Sequence, residues 1–250
     1  MLSKNSIKYI NSLRVKKIRN DNNLFIAEGE RLIGEIIESQ LKVKTIYYNS
    51  DWSSNIKSFD FECVEISNDE MKKISGLTTP SKLLAVVNIP NYSISDCKID
   101  NSLALALDDI QDPGNFGTII RLADWFGIDS ILCSNNTVDA YSPKVVQSCM
   151  GAISRVKTIY CDLEKTLQDS KKINLPVYGT FMEGANIYNE NLPKNGIIVM
   201  GNEGNGVSKG IEKFITKKIH IPSFASNRTT VESLNVAMAT AIVLSEFRRR

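Results

Sequence analysis

Residues 103–127 read LALALDDIQDPGNFGTIIRLADWFG. The opening LALAL is a short, uninterrupted apolar run of the kind that fills a strand buried on both faces. A loop rich in turn formers follows, from Asp108 to Gly114. Ile119, Leu122, Ala123 and Phe126 then recur at helical spacing. The spacing predicts a helix over 116–126, with Asp112 or Asn115 placed to cap it and Gly127 to end it. At about 100° per residue, Arg121 falls on the face opposite that stripe, free to reach solvent or a ligand. Alone, this stretch reads equally as a solvated arginine and a capping asparagine.

The same strand–loop–helix unit recurs along the C-terminal half. Strands are expected at 103–107, 130–133, 156–160, 177–181, 196–200 and 218–221, and helices at 116–126, 143–153, 163–172, 209–215 and 233–248. Repeated alternation with continuous apolar strands predicts an α/β fold whose mostly parallel sheet is covered on both faces. Ligands of such sheets sit beyond the carboxyl ends of the strands.

Two further loops lie at such ends. IIVMGNEGNGVS, residues 197–208, runs from a strand into Gly201-Asn202-Glu203-Gly204-Asn205-Gly206, with Ser208 placed to cap the next helix. Its glycines let a backbone approach a ligand closely. Their spacing is neither the dinucleotide fingerprint nor a P-loop, and Glu203 would repel a phosphate. A cationic or hydroxylated ligand suits the loop better, and a plain glycine turn is the alternative. The third loop leaves the strand ending at Ile221, passes Pro222, and reaches Ser233-Leu234-Asn235 before VAMATAIVLSEFRRR. That helix is apolar nearly all round: Leu234, Met238, Ala241 and Ile242 line one face, and Val236, Val243 and Phe247 another. It must be covered on several sides; the sheet can cover one, and a second copy of the chain is a candidate for another. His220, the single histidine, precedes Ile221-Pro222 at a strand end and reads as a structural residue.

N-terminal to these motifs, the stretch near residues 90–102, IPNYSISDCKIDNS, holds a proline and several turn formers between apolar strands and marks a domain boundary. Residues 1–95 read as a small α/β domain. It has strands at 24–27, 44–48 and 83–89, a helix over 30–39 carrying Leu32, Ile33, Ile36 and Ile37, and a capping box from Ser67 to Glu70. Residues 103–250 form the second domain. Chain length of 250 residues accommodates two cores.

Charge distribution says more than the net +2. Residues 1–19 contain Lys4, Lys8, Arg14, Lys16, Lys17 and Arg19 with no acid, and the chain ends Arg248-Arg249-Arg250. Such clusters attract phosphate backbones or serve as solvated faces. The apolar runs are far shorter than the roughly 20 residues of a membrane span, and no signal peptide is evident; a cytoplasmic location is expected. The five cysteines, Cys63, Cys97, Cys133, Cys149 and Cys161, form no CxxC pair, as expected for small buried thiols in a reduced compartment, and no metal site is expected.

Read in order, the three loops resemble the SpoU, or TrmH-like, family of RNA ribose 2′-O-methyltransferases, within the SPOUT superfamily. The first motif is matched by Asn115, Gly117 and Arg121, the second by IIVMGNEGNGVS, and the third by Ile221-Pro222 and Ser233 to Val236. FIAEGERLIGEII in the N-terminal part resembles the ribosomal-protein-like substrate-binding domain often joined to these enzymes. The resemblance implies a trefoil-knotted α/β domain, a homodimer, RNA as partner, with ribosomal favoured over transfer RNA, and S-adenosylmethionine as cofactor. It implies catalytic roles for Arg121, Asn115, Glu203, Ser233 and Asn235. Thr180, Gly201, Asn202, Gly204, Ile221 and Leu234 would hold the cofactor. The third motif departs from the family: Ser223 stands where methionine is usual, and SFASNRTTV, which contains Arg228, is longer. Two rivals are a non-catalytic RNA-binding relative and an unrelated nucleotide-binding enzyme with a doubly wound sheet.

Overall fold

A computed structural model describes residues 1–55, 59–97, 99, 101–225 and 233–249. Arg228, Glu232 and Arg250 lie outside the described residues. In chain order the elements are α1 (Lys4–Ser12), α2 (Lys16–Asn22), β1 (Leu24–Glu28), α3 (Glu30–Ile37), β2 (Val43–Tyr48), β3 (Glu62–Glu65), α4 (Asn68–Ile74), β4 (Leu83–Asn88), β5 (Leu103–Asp108), α5 (Pro113–Trp125), β6 (Ser130–Ser134), α6 (Pro143–Ser148), β7 (Lys157–Cys161), α7 (Leu163–Lys172), β8 (Val177–Asn186), β9 (Gly196–Gly201), α8 (Lys209–Glu212), β10 (Lys217–His220) and α9 (Val236–Arg249).

They form two compact units. The first comprises Met1–Asn91 together with Asp139–Arg155, and the second Tyr92–Val138 together with Val156–Arg250. The first unit is built on a four-stranded sheet, order β1-β4-β2-β3, antiparallel except for the β2–β3 pair. Ile10 and Leu13 of the α1 segment join Ile26, Met71, Ile74 and Leu84 in its core, each fully buried apolar side chain contributing on the order of 1.5–3 kcal/mol. Ser67 and Glu70 form the expected capping box. The segment from Asp139 belongs to this unit: α6 packs on β1, and the Tyr141 ring lies 5.1 Å from that of Phe25.

Arg14 and Arg19 leave the basic surface that residues 1–19 suggest. Arg19 is buried against Asp139, and Arg14 pairs with Glu28 at 3.1 Å. Lys4, Lys8, Lys16 and Lys17 are the exposed cations of that stretch.

The second unit carries a six-stranded sheet, order β10-β8-β9-β5-β6-β7, with every pairing parallel. β5, between β9 and β6, is buried at all six positions, as its unbroken apolar run requires. Several boundaries differ from expectation for local reasons. α5 starts three residues early, at Pro113, because proline suits the first turn and the Asp112 carboxylate accepts from Asn115 N–H at 2.7 Å. α9 starts at Val236, since Asn235 accepts from the Ala237 and Met238 N–H groups at 2.9 and 3.3 Å and holds the turn. α8 is a single turn, and Ser208 makes no side-chain cap; its N–H donates instead to Asp108 Oδ2 at 2.7 Å. The helix expected over 143–153 ends at Ser148. Cys133 and Cys149 are buried and the other three thiols half-buried; burial pushes the Cys133 thiol well up and the Cys149 thiol up, away from the reactive thiolate.

Candidate active site

β5 and β9 lie side by side with Leu107 opposite Met200 and Asp108 opposite Gly201. The loops leaving their carboxyl ends must therefore run together, and this register brings Asn115 to Glu203 across 88 positions of sequence. α9 packs on α5 and brings Asn235 to the same place. Asn235 Nδ2 donates to Asn115 Oδ1 at 2.9 Å, and Asn115 Nδ2 donates to Glu203 Oε1 at 3.1 Å. The direction of this chain is set at both ends. Asn235 Oδ1 is committed to the start of α9, so its amino group must face Asn115. Glu203, an acceptor, requires the amino side of Asn115. The Glu203 carboxylate also accepts from the backbone N–H groups of Gln111 and Asp112, both at 3.4 Å. It thus sits against the amino end of α5, where the helix dipole favours negative charge.

Asn115, Glu203 and Asn235 are brought together; Arg121 and Ser233 are not joined to them by a hydrogen bond among the described residues. Arg121 is exposed on α5, and its guanidinium has no ion-pair partner among the described residues. Ser233 is exposed just ahead of α9.

Three residues expected at a cofactor lie on adjacent strands in the order β10-β8-β9. Ile221 directly follows β10, Thr180 is in β8, and Gly201 ends β9. Thr180 is half-buried, with its hydroxyl donating to Val199 O at 3.2 Å. Leu234 is an exposed apolar side chain beside Asn235. Gly201 is dictated by the loop itself: a Cβ there would stand 2.3 Å from Gly206 C and Val207 N, where the loop folds back through paired Asn202 and Gly206 backbone bonds of 3.0 and 2.9 Å. Asn202 Oδ1 takes the N–H groups of Gly204 and Asn205, both at 2.9 Å. With these amides satisfied and Glu203 between them, the loop is no anion cradle. The donor set fits a ligand that presents positive charge and hydroxyls and carries no phosphate there, which S-adenosylmethionine does.

Asp109 is the residue that sequence reasoning missed. It sits at φ +61°, a conformation that L residues other than asparagine and aspartate seldom adopt. A non-glycine residue in the strand-end loop leading into the first motif was the available signal, but the positive φ is visible only in the backbone.

The profile of the SpoU rRNA Methylase family matches residues 102–245, and that of the MRM3-like substrate binding domain matches residues 4–85. The chain is 30% identical over 240 residues to the Bacillus subtilis 23S rRNA (guanosine(2553)-2′-O)-methyltransferase RlmP, an alignment covering 94% of this chain and 93% of that one. Among solved structures, a TrmH-family protein from Porphyromonas gingivalis superposes with a TM-score of 0.91 at 39% identity, covering 100% of this chain and 99% of the other. An AdoMet-bound rRNA methyltransferase from Sinorhizobium meliloti gives 0.89 at 25% identity, covering 100% and 96%. The three motifs at the ends of parallel strands of one sheet, the convergence of Asn115, Glu203 and Asn235, and these likenesses place the chain in the SpoU rRNA methylase family.

Proposed function

We propose that this protein transfers a methyl group from S-adenosylmethionine to a ribose 2′-hydroxyl of ribosomal RNA. The observation that carries the reading is the Asn235–Asn115–Glu203 chain at the carboxyl edge of the sheet, with an arginine that has no ion-pair partner among the described residues on the same helix as Asn115. The alignment with the Bacillus subtilis enzyme, spanning both units' sequences, supports ribosomal over transfer RNA and makes a guanosine of the large-subunit RNA the first target to test.

When bound, S-adenosylmethionine supplies a methyl group on a sulfonium, already activated toward attack by oxygen. The chain's own task is to align the ribose oxygen and to stabilise the charge that develops on it as its proton passes to solvent water. As a guanidinium, Arg121 serves as a cation and not as a base. Its fork is suited to the phosphate next to the reacting ribose and to the developing alkoxide. Asn115, held from both sides, presents a fixed amide at the start of α5, and Glu203 and Asn235 maintain its orientation. Ser233 is placed by the third motif to assist. Backbone groups around Thr180, Gly201, Gly204 and Ile221, with the apolar surface of Leu234, would hold the cofactor. The first unit, with Lys4, Lys8, Lys16 and Lys17 exposed, would bind the RNA backbone.

The assay is tritium transfer from labelled S-adenosylmethionine to bulk ribosomal and transfer RNA from a strain lacking the protein, followed by nucleoside digestion. Label is expected in a 2′-O-methylnucleoside of ribosomal RNA. No transfer with cofactor binding intact would point to an assembly-stage RNA as the substrate, and no transfer with no cofactor binding would support the non-catalytic alternative.

We also propose a homodimer, and the knotted C-terminal path that the resemblance implies. Trp125, Leu234 and Met238 are 84%, 49% and 55% exposed on or beside α5 and α9, two helices that pack together. Leu234 and Met238 stand at the Asn115 end of this helix pair and Trp125 at its Arg248 end, and large exposed apolar side chains along paired helices favour burial in an interface. Sedimentation is expected to give a dimer, and a crystal structure to show the C-terminal segment threaded; a strict monomer, or an unthreaded trace, would end the respective proposal.

A further inference from the structure

We infer that Asn202 and Asp109 form a latch that positions Glu203, and that the side chain of Asn202 acts on the protein and not on the cofactor. The inference rests on the methyl-transfer reading above and concerns how the same site is held.

The Asn202 amide is fully engaged by the chain. Its Nδ2 donates to Asp109 O at 2.7 Å, and its Oδ1 accepts from Gly204 N and Asn205 N. Its backbone N–H and carbonyl pair with Gly206. Glu203 is thus flanked by bonds on both sides although its own side chain is exposed. An exposed glutamate with several free torsions would otherwise sample many rotamers, at an entropy cost for any one of them.

Asp109 supplies the other half. Its N–H donates to Ser134 Oγ at 2.9 Å, and Ser134 Oγ lies 3.1 Å from Thr137 Oγ1, which in turn donates to Leu107 O at 3.1 Å. The residue is held from β6 on one side and by the β9 loop on the other. Its φ of +61° turns the carbonyl toward Asn202, at a cost that the surrounding bonds offset. Ile110, next in the chain, is wholly buried and fixes the loop to the core. Gln111 and Asp112 then present the two N–H groups that meet Glu203. The loops are therefore cross-linked in register: Asn202 grips Asp109, and Glu203 is met by Gln111 and Asp112. Those two backbone bonds are long, at 3.4 Å, so the short Asn202–Asp109 bond is the firm member of the set. A cofactor contact would leave one face of the Asn202 amide open toward a ligand. Here the acceptor side serves the loop and the donor side serves Asp109.

The decisive variant is Asn202→Asp. It keeps side-chain volume and the acceptor for Gly204 and Asn205 but sets an oxygen against Asp109 O. Asp109→Val is the second, because a β-branched residue disfavours positive φ and would turn the carbonyl away. Each is expected to lower kcat for transfer to ribosomal RNA about tenfold, the size of one well-made hydrogen bond. The dissociation constant for S-adenosylmethionine, by calorimetry, should stay within about twofold of wild type, since no cofactor contact is removed. The double variant should be no slower than the worse single one, as both break the same bond. Hydrogen exchange reads the latch without catalysis: the peptide containing Gln111 and Asp112 should exchange about tenfold faster in Asn202→Asp than in wild type. Wild-type kcat together with wild-type exchange in Asn202→Asp would overturn the latch. So would a tenfold weaker cofactor with unchanged kcat, which would make Asn202 a cofactor contact. If the wild-type protein methylates no RNA, the functional reading fails, and the exchange comparison still decides the latch.

Discussion

Replacing Arg121 with alanine is expected to lower kcat for methyl transfer about 10²- to 10³-fold, the usual loss when one preorganised donor to a developing oxyanion is removed. Its thermal midpoint should match wild type. The two expectations come from the same fact: Arg121 is exposed on α5 and has no ion-pair partner among the described residues. Its neighbours Ile119, Ile120 and Ala123 are buried and carry the packing of that helix. A long charged side chain left unpaired contributes to stability within about ±0.5 kcal/mol. If it is held there for chemistry, its removal shows in rate alone. Arg121→Lys keeps the charge but loses the fork, and should fall between alanine and wild type. Single-turnover transfer at saturating cofactor separates the chemical step from binding. Wild-type rates in Arg121→Ala would overturn the mechanism, and Asn115 with Glu203 would then have to carry the reaction without a cation.

The three motifs were readable from sequence because each stands at a strand–loop–helix junction, where an apolar run stops and turn formers begin. Local chemistry announces such junctions, and the strand positions at 103, 130, 177 and 196 followed from it. What brings the motifs together was not readable. Asn115 meets Glu203 because β5 pairs with β9, and Asn235 meets Asn115 because α9 packs on α5; both are long-range pairings that periodicity leaves open. α1 and α2 were missed for a different reason. KNSIKYINS and KKIRNDN are polar, with only Ile7, Ile10 and Ile18 to mark an inner side, so their charge hid their role. β3 is four residues long and half-buried at best, below what alternation can show. The charge count of residues 1–19 overstates the basic surface they present. Two of its six cations, Arg14 and Arg19, are spent inside the first unit, and a one-dimensional charge count cannot separate these from the four exposed lysines.

Arg19 carries the largest stability prediction. Its side chain is 3% exposed and that of Asp139 is 11% exposed. Arg19 Nε donates to Asp139 Oδ2 at 3.0 Å, Nη2 donates to the same oxygen, and Nη1 donates to Leu13 O and Arg14 O, closing the end of α1. The other Asp139 oxygen accepts from Tyr141 N–H at 2.9 Å. Arg19→Met removes the cation and leaves a buried carboxylate with one donor, besides two carbonyls without theirs. The expected loss is about 3–5 kcal/mol for the first unit, the range for breaking one side of a buried pair. Arg19→Met with Asp139→Leu removes both charges, and should recover much of that loss, since a buried ion pair is worth little more than apolar contact of similar volume. Urea unfolding of the two single variants and the double variant gives the coupling directly. The same pair is what ties residues 139–155 to the N-terminal sheet, beside the Phe25–Tyr141 ring contact, so Arg19→Met should also speed hydrogen exchange in that segment ahead of β7. A loss below about 1 kcal/mol, with no recovery in the double variant, would mean that water already reaches the pair and that the segment is held by its apolar contacts and by the Arg155–Glu35 ion pair.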